Sequence, residues 1–225
     1  MPNHEPNSKK YFAEVAGQWD EMRAGYFTEE MRNDAIARAG LSASDVVADI
    51  GTGTGFVIHG LAPLVSRVFG IDEAPEMLEI ARRNLAGFRN VELIETPGHR
   101  LPLPEGSLDA IFANMYLHHA PDPAMALTEM ARTLKPGGRL VVTDVDEHDQ
   151  AWMREAMADL WLGFKQNDVR SWLEAAGIID INIDCAKGSC CARTESGQSV
   201  HIGIFVAVGT KPRSKQLPPD GEMRS

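Results

Sequence analysis

Three glycines at alternate positions, Gly51, Gly53 and Gly55, follow the short apolar run DVVADI at residues 45–50. Residues without a Cβ let a chain turn sharply after a strand and let its backbone approach a ligand closely. Asp72 ends a second apolar run, VFGID, about 20 residues beyond the turn, where an acid can accept both hydroxyls of a ribose. The dinucleotide fingerprint G-x-G-x-x-G is absent. The spacing is G-x-G-x-G, and Phe56 stands where the third glycine would fall. The pattern asks for a nucleoside-like ligand with no firm demand for a pyrophosphate. The plainer use of the same residues is a tight strand-to-helix turn with an acid beside it.

Groups able to move protons or act as nucleophiles cluster further along. His118 and His119 follow a fourth apolar run, LDAIFA. Asp144, Asp146, Glu147 and His148 follow a fifth, RLVVT. Open α/β sheets bind ligands at the carboxyl ends of their strands, so these residues are candidates for a general base. Positioning of backbone is the competing role for the histidines, and helix capping for the acids. All three cysteines, Cys185, Cys190 and Cys191, fall within seven residues. They could hold a soft, thiophilic centre such as arsenite or mercury, act as a redox pair, or be inert. A zinc site completed by His201 has no familiar spacing.

The elements that must position these groups alternate. Strands are predicted at 45–50, 67–71, 90–94, 108–113 and 139–143. Helices are predicted at 56–65 and 75–86, and again after the Asp122-Pro123 cap, ending at Lys135-Pro136-Gly137-Gly138. Such βαβ order predicts a parallel sheet. Helices over 152–161 and 168–176 come next, then an alternating strand at 179–184 and an apolar one at 202–208. Residues 186–200 read as a long loop. Residues 1–10 and 211–225 read as loose tails.

Composition narrows the partners. The 225 residues carry 22 Lys+Arg against 32 Asp+Glu, a net charge of −10. An acidic surface repels phosphate backbones and anionic lipid, so neither nucleic acid nor membrane is expected as partner. No apolar run is long enough to span a bilayer, and the N-terminus lacks a signal-type apolar segment, so a cytoplasmic location is expected. An odd cysteine count there is no disulfide framework.

Four stretches in order, ADIGTGTG, GIDEAPEMLEIAR, LPLPEGSLDAIFANMYLHHAPDP and LKPGGRLVVTD, resemble the motifs of class I S-adenosylmethionine-dependent methyltransferases. The flanks extend the likeness over about residues 11–210. They resemble the methyltransferase half of ArsR-type metalloregulator fusions and, more loosely, quinone-biosynthesis C-methyltransferases. The resemblance implies a Rossmann-like α/β fold: a seven-stranded, mostly parallel sheet of order 3-2-1-4-5-7-6 with helices on both faces. Cap helices would occupy 11–44 and the cofactor-binding core 45–145. S-adenosyl-L-methionine would lie on Asp49, Gly51, Thr52, Gly53 and Gly55, with Asp72 on its ribose and Glu73 and Met77 beside its adenine. Asn114 and Met115 would lie along the methionine moiety, and Tyr11, Trp19 and Tyr26 would cap the cofactor. One departure stands out. The family's adenine-reading acid is replaced by Pro97, leaving backbone at Gly98 and His99, or Glu95, to meet the base.

A sulfonium methyl is already activated, so methyl transfer needs alignment and exclusion of water, and no metal is expected. The acceptor is expected to be a small molecule: a thiol or metalloid near Cys185, Cys190 and Cys191, or a hydroxyl or carbon of a metabolite. The catalytic candidates are His118, His119, His148, Cys190 and Cys191. A regulatory module that binds the cofactor without chemistry and a nicotinamide oxidoreductase are the rivals. A homodimer is left open.

Overall fold

A computed structural model describes residues 8–98, 100–187, 190–193 and 199–213. A seven-stranded sheet forms its centre, in the order β3-β2-β1-β4-β5-β9-β6. Its strands are β1 (Val46–Ile50), β2 (Arg67–Asp72), β3 (Val91–Glu95), β4 (Leu108–Asn114), β5 (Leu134–Val145), β6 (Ile179–Cys185) and β9 (Ile204–Thr210). Pairings from β3 through β5 are parallel, while β9 runs antiparallel to both β5 and β6. This is the predicted order, renumbered because β7 (Cys190–Arg193) and β8 (Ser199–Ile202) form a separate hairpin.

The central strands are apolar on both sides, so two cores form. Val47, Phe112 and Val141 pack on one face with Met31, Ile58 and Leu61. Ile50, Ile111 and Phe205 pack on the other with Leu127, Met130 and Leu173. Helices α3 (Glu29–Ala39) and α4 (Phe56–Leu61) cover the first face; α6 (Pro123–Thr133) and α8 (Gln166–Ala175) cover the second. Burial of this kind removes a fully apolar strand from water on both sides. Local chemistry sets the helix ends. The Met125 amide donates to the Asp122 carboxylate at 2.9 Å and Pro123 takes the first turn of α6. Helix α3 is capped by Thr28 and ends at Gly40, whose φ of 61° is left-handed.

Two short helices, α1 (Ser8–Val15) and α2 (Trp19–Ala24), precede this body. With α5 (Pro75–Asn84) they enclose a small third cluster, in which Phe12 and Trp19 pack against Met77.

Several expectations are corrected. Residues 8–10 belong to α1 rather than to a loose tail, and Ser8 is buried. At the other end Lys211 is pinned: its carbonyl accepts from the Gly137 amide at 2.8 Å and its ammonium reaches the Arg132 carbonyl at 3.2 Å. The helix expected over 152–161 shrinks to α7 (Met153–Ala156), because Ala158 turns left-handed with a φ of 57°. Strand β5 starts at Leu134 and runs through Lys135-Pro136-Gly137-Gly138, the stretch expected only to stop the helix. The loop expected over 186–200 contains β7, which pairs antiparallel with β8. Residues 1–7 and 214–225 lie outside the described residues.

Candidate functional site

Strand β1 delivers Asp49 and Ile50 to the sheet's carboxyl edge, and the glycine turn begins there. Gly51, Gly53 and Gly55 all have positive φ, at 69°, 52° and 89°. A Cβ on Gly51 would stand 2.6 Å from the Tyr116 ring, so this position has no room for a side chain. Gly55 serves differently from the expectation. It is the left-handed cap of α4, faces Leu85, and does not line the cavity.

The turn is tied to both neighbouring strands. The amides of Gly51 and Thr52 donate to the Ile71 carbonyl at 2.8 and 3.0 Å. The Gly53 amide donates to Asp72 Oδ2 at 2.8 Å, and the Ala74 amide to Asp72 Oδ1 at 2.9 Å. Burial pushes the Asp72 carboxyl above the usual range while those two amides pull it back. Asp49 is 1% exposed and burial raises its pKa to about 7. The Thr52 hydroxyl donates to Asp49 Oδ2 at 2.7 Å; Asp49 Oδ1 is buried with no partner, as is Asn114 Oδ1.

These groups line one cavity. Its floor holds Asp49, Gly51, Thr52, Gly53, Asp72, Asn114 and Met115, all anticipated. Glu73, Met77 and Gly98 form one end with Pro97. Glu95 does not line it, and His99 lies outside the described residues. Trp19 and Tyr26 form the roof, with Phe12 and Phe27 beside them. Tyr11 is corrected to a supporting place: it does not line the cavity, and its hydroxyl donates to the Met157 sulfur at 3.6 Å. Asp20 ties the roof down by accepting from the Thr54 hydroxyl at 2.6 Å.

The cavity also has a polar wall. His118 and His119 occupy a single 3₁₀ turn after β4, and both line the cavity. His118 Nδ1 lies 2.7 Å from Asp144 Oδ1, a carboxylate that is fully buried. The Leu117 and Val145 amides also donate to Asp144, at 2.9 and 2.8 Å. Asp159, 1% exposed, lies across from both rings. The Asp144 carboxylate raises His118 to about 9 against the effect of burial, while burial and the His118 charge lower His119. Burial raises Asp159 to about 6.

His148 is the other correction. Its amide donates to the Leu162 carbonyl at 3.0 Å, and its ring lines a shallow recess with Glu147, Asp149 and Arg154, apart from the cavity. Cys185 is exposed at the end of β6. Cys190 and Cys191 lie in β7, and their side chains are outside the described residues. Sequence reasoning missed Tyr116, Asp20 and Asp159. Tyr116 lies within the LPLPEGSLDAIFANMYLHHAPDP stretch, but only the folded chain brings its ring onto Gly51.

Residues 48–142 match the family model described as a methyltransferase domain. The 2-methyl-6-phytyl-1,4-hydroquinone methyltransferase 1 of Oryza sativa subsp. japonica is 33% identical over 166 residues, covering 72% of this chain and 50% of that protein. The demethylmenaquinone methyltransferase of Tropheryma whipplei (strain Twist) is 36% identical over 144 residues, covering 63% of this chain and 60% of its own. The chain thus spans half to three-fifths of the length of these relatives. A solved structure titled as the complex between the Haloferax volcanii Trm112 methyltransferase activator and the putative methyltransferase shares the fold. Its TM-score is 0.74 at 22% identity, covering 90% of this chain and 98% of that one.

Proposed function

We propose that this chain is a class I S-adenosylmethionine-dependent methyltransferase and that it transfers a methyl group from that cofactor to a hydroxylated aromatic small molecule. The observation that carries the cofactor half is the Asp72 carboxylate, held by the Gly53 and Ala74 amides at the rim of the glycine turn. Both oxygens are pre-oriented, so ribose hydroxyls meet a fixed acceptor rather than a mobile side chain. Asp49 Oδ1 and Asn114 Oδ1 fit the group too. A buried acceptor without a partner is rare, and an amino-acid ammonium in the cavity would supply donors to such acceptors. Met77, Pro97 and Gly98 supply an apolar slot for adenine.

When bound, the cofactor supplies an electrophilic methyl on a sulfonium sulfur. The chain's residues do the rest. Trp19, Tyr26 and Phe12 line the cavity and would exclude water around the bound cofactor. Met115, Met153 and Met157 give the remaining wall soft apolar surface that adapts to an aromatic ring. His118, held by Asp144, would orient an acceptor hydroxyl, and His119, kept neutral by burial beside the His118 charge, would receive its proton. The aromatic acceptor also agrees with the quinol substrates named for the rice relative.

A thiol or metalloid acceptor is the second reading. It rests on Cys190 being the strand partner of Ile202, a residue of the cavity wall. A screen scored by S-adenosylhomocysteine release, with phenols, hydroquinones, thiols and arsenite offered in parallel, separates the two. Release with hydroquinones alone supports the first. Release with thiols or arsenite, abolished by Cys190→Ser with Cys191→Ser, overturns it.

A further inference from the structure

His118, His119 and Asp159 converge on one point of the cavity wall. His118 Nε2 lies 3.8 Å from Asp159 Oδ1, and His119 Nε2 lies 4.0 Å from the same oxygen. One donor atom from each of the three residues falls within 4.8 Å of the others. Around a tetrahedral ion with bonds of about 2.0–2.1 Å, donors stand roughly 3.4 Å apart, so a contraction of at most about 1.4 Å seats an ion.

The outer contacts are arranged for the same purpose. A metal-bound histidine presents one ring nitrogen and is oriented through the other, usually by a carboxylate or a carbonyl. His118 has its Nδ1 on Asp144 at 2.7 Å, and His119 has its Nδ1 against the Ala158 carbonyl at 3.3 Å. Both Nε2 atoms are thereby turned to Asp159. The His118 carbonyl accepts from the Leu160 and Trp161 amides, both at 3.0 Å, which fixes the Asp159 segment over the 3₁₀ turn. Asp159 Oδ2 is buried and has no partner.

We propose that His118, His119 and Asp159 form a binding site for a divalent transition-metal ion, with its open coordination positions facing the cavity. Two imidazoles and one carboxylate suit zinc, cobalt or ferrous iron, whereas calcium and magnesium prefer all-oxygen sets. All three ligands line the cavity, so the free positions face the space where the acceptor is proposed to lie. An acceptor hydroxyl would ligate there. That last clause rests on the methyl-transfer reading; metal binding does not.

Cobalt(II) is the probe, added to the metal-free chain and read by visible d–d absorption. Saturation at one ion per chain is expected, with displacement by zinc and a band shift on adding azide, which needs an open position. His119→Ala and Asp159→Asn should each weaken binding at least about 100-fold while leaving the far-ultraviolet circular dichroism unchanged. Should either variant fail to fold, Asp144→Asn tests the same point, since loss of the outer carboxylate costs about 10- to 100-fold in affinity. A sulfur-to-cobalt charge-transfer band, binding lost in His148→Ala but kept in Asp159→Asn, or no saturable absorption would each overturn the site. Bands indifferent to azide would overturn its open positions. Failure of the chain to bind S-adenosylmethionine would leave these outcomes readable.

Discussion

The Gly53 amide donates to Asp72 Oδ2 at 2.8 Å, so the glycine turn and the end of the neighbouring strand act as one rigid unit. Asp72 Oδ1 is held in the same way by Ala74. Asp72→Ala is expected to weaken S-adenosylmethionine binding by about 2–3 kcal/mol, because charge-assisted hydrogen bonds to the ribose are lost. Isothermal calorimetry reads this directly. Unchanged affinity would remove the acid from the cofactor site.

Gly51→Ala tests the close approach at the turn. The new Cβ would meet the Tyr116 ring at 2.6 Å, and a φ of 69° is unfavourable for alanine. A stability loss of about 1–3 kcal/mol is expected in urea unfolding, with weaker cofactor binding. Tyr116→Ala combined with Gly51→Ala should recover only the steric part of that loss.

Asp49 should trade stability against affinity with pH. Its folded pKa of about 7 lies above the ordinary value of 3.8, so burial favours the neutral acid. The favourable contribution is complete below the unfolded pKa and is lost as pH rises through about 7. Asp49→Asn should therefore gain up to about 4 kcal/mol over the parent at pH 8 and nothing near pH 3. Affinity should move the opposite way. In the parent, binding of the cationic cofactor tightens as pH rises through about 7, and Asp49→Asn removes that rise. Parallel thermal melts and calorimetry at several pH values check both signs.

Asp20 ties the cap to the turn through the Thr54 hydroxyl at 2.6 Å and the Asn84 amide at 3.2 Å. Asp20→Ala should loosen α1 and α2 and raise the cofactor Kd about 5- to 10-fold, the worth of about 1 kcal/mol. Limited proteolysis should cut the cap faster in the variant. Equal cleavage rates would show that the apolar contacts of Phe12 and Trp19 hold the cap without it.

The glycine-turn side of the cavity was readable in the sequence because its parts are local. A glycine turn, the acid at the end of the next strand and two helix caps declare themselves through residue type and spacing. The acceptor wall was only half readable. His118 and Asp144 could be placed at adjacent strand ends, but their 2.7 Å contact depends on side-chain rotamers. Asp159 was invisible, because it lies on a stretch that the periodicity of Trp152–Trp161 assigned to a helix. The left-handed turn at Ala158, which ends that periodicity, carries no glycine to announce it. The β7–β8 hairpin escaped for a related reason: Cys190–Arg193 shows neither clear alternation nor an apolar run.

One calorimetric comparison bears most directly on the cofactor assignment. The metal-stripped chain is titrated with S-adenosylmethionine and, separately, with NAD. Saturable one-to-one binding of S-adenosylmethionine, lost in Asp72→Ala, with no heat from NAD, is the predicted result. Binding of NAD alone, or of neither ligand, would contradict it.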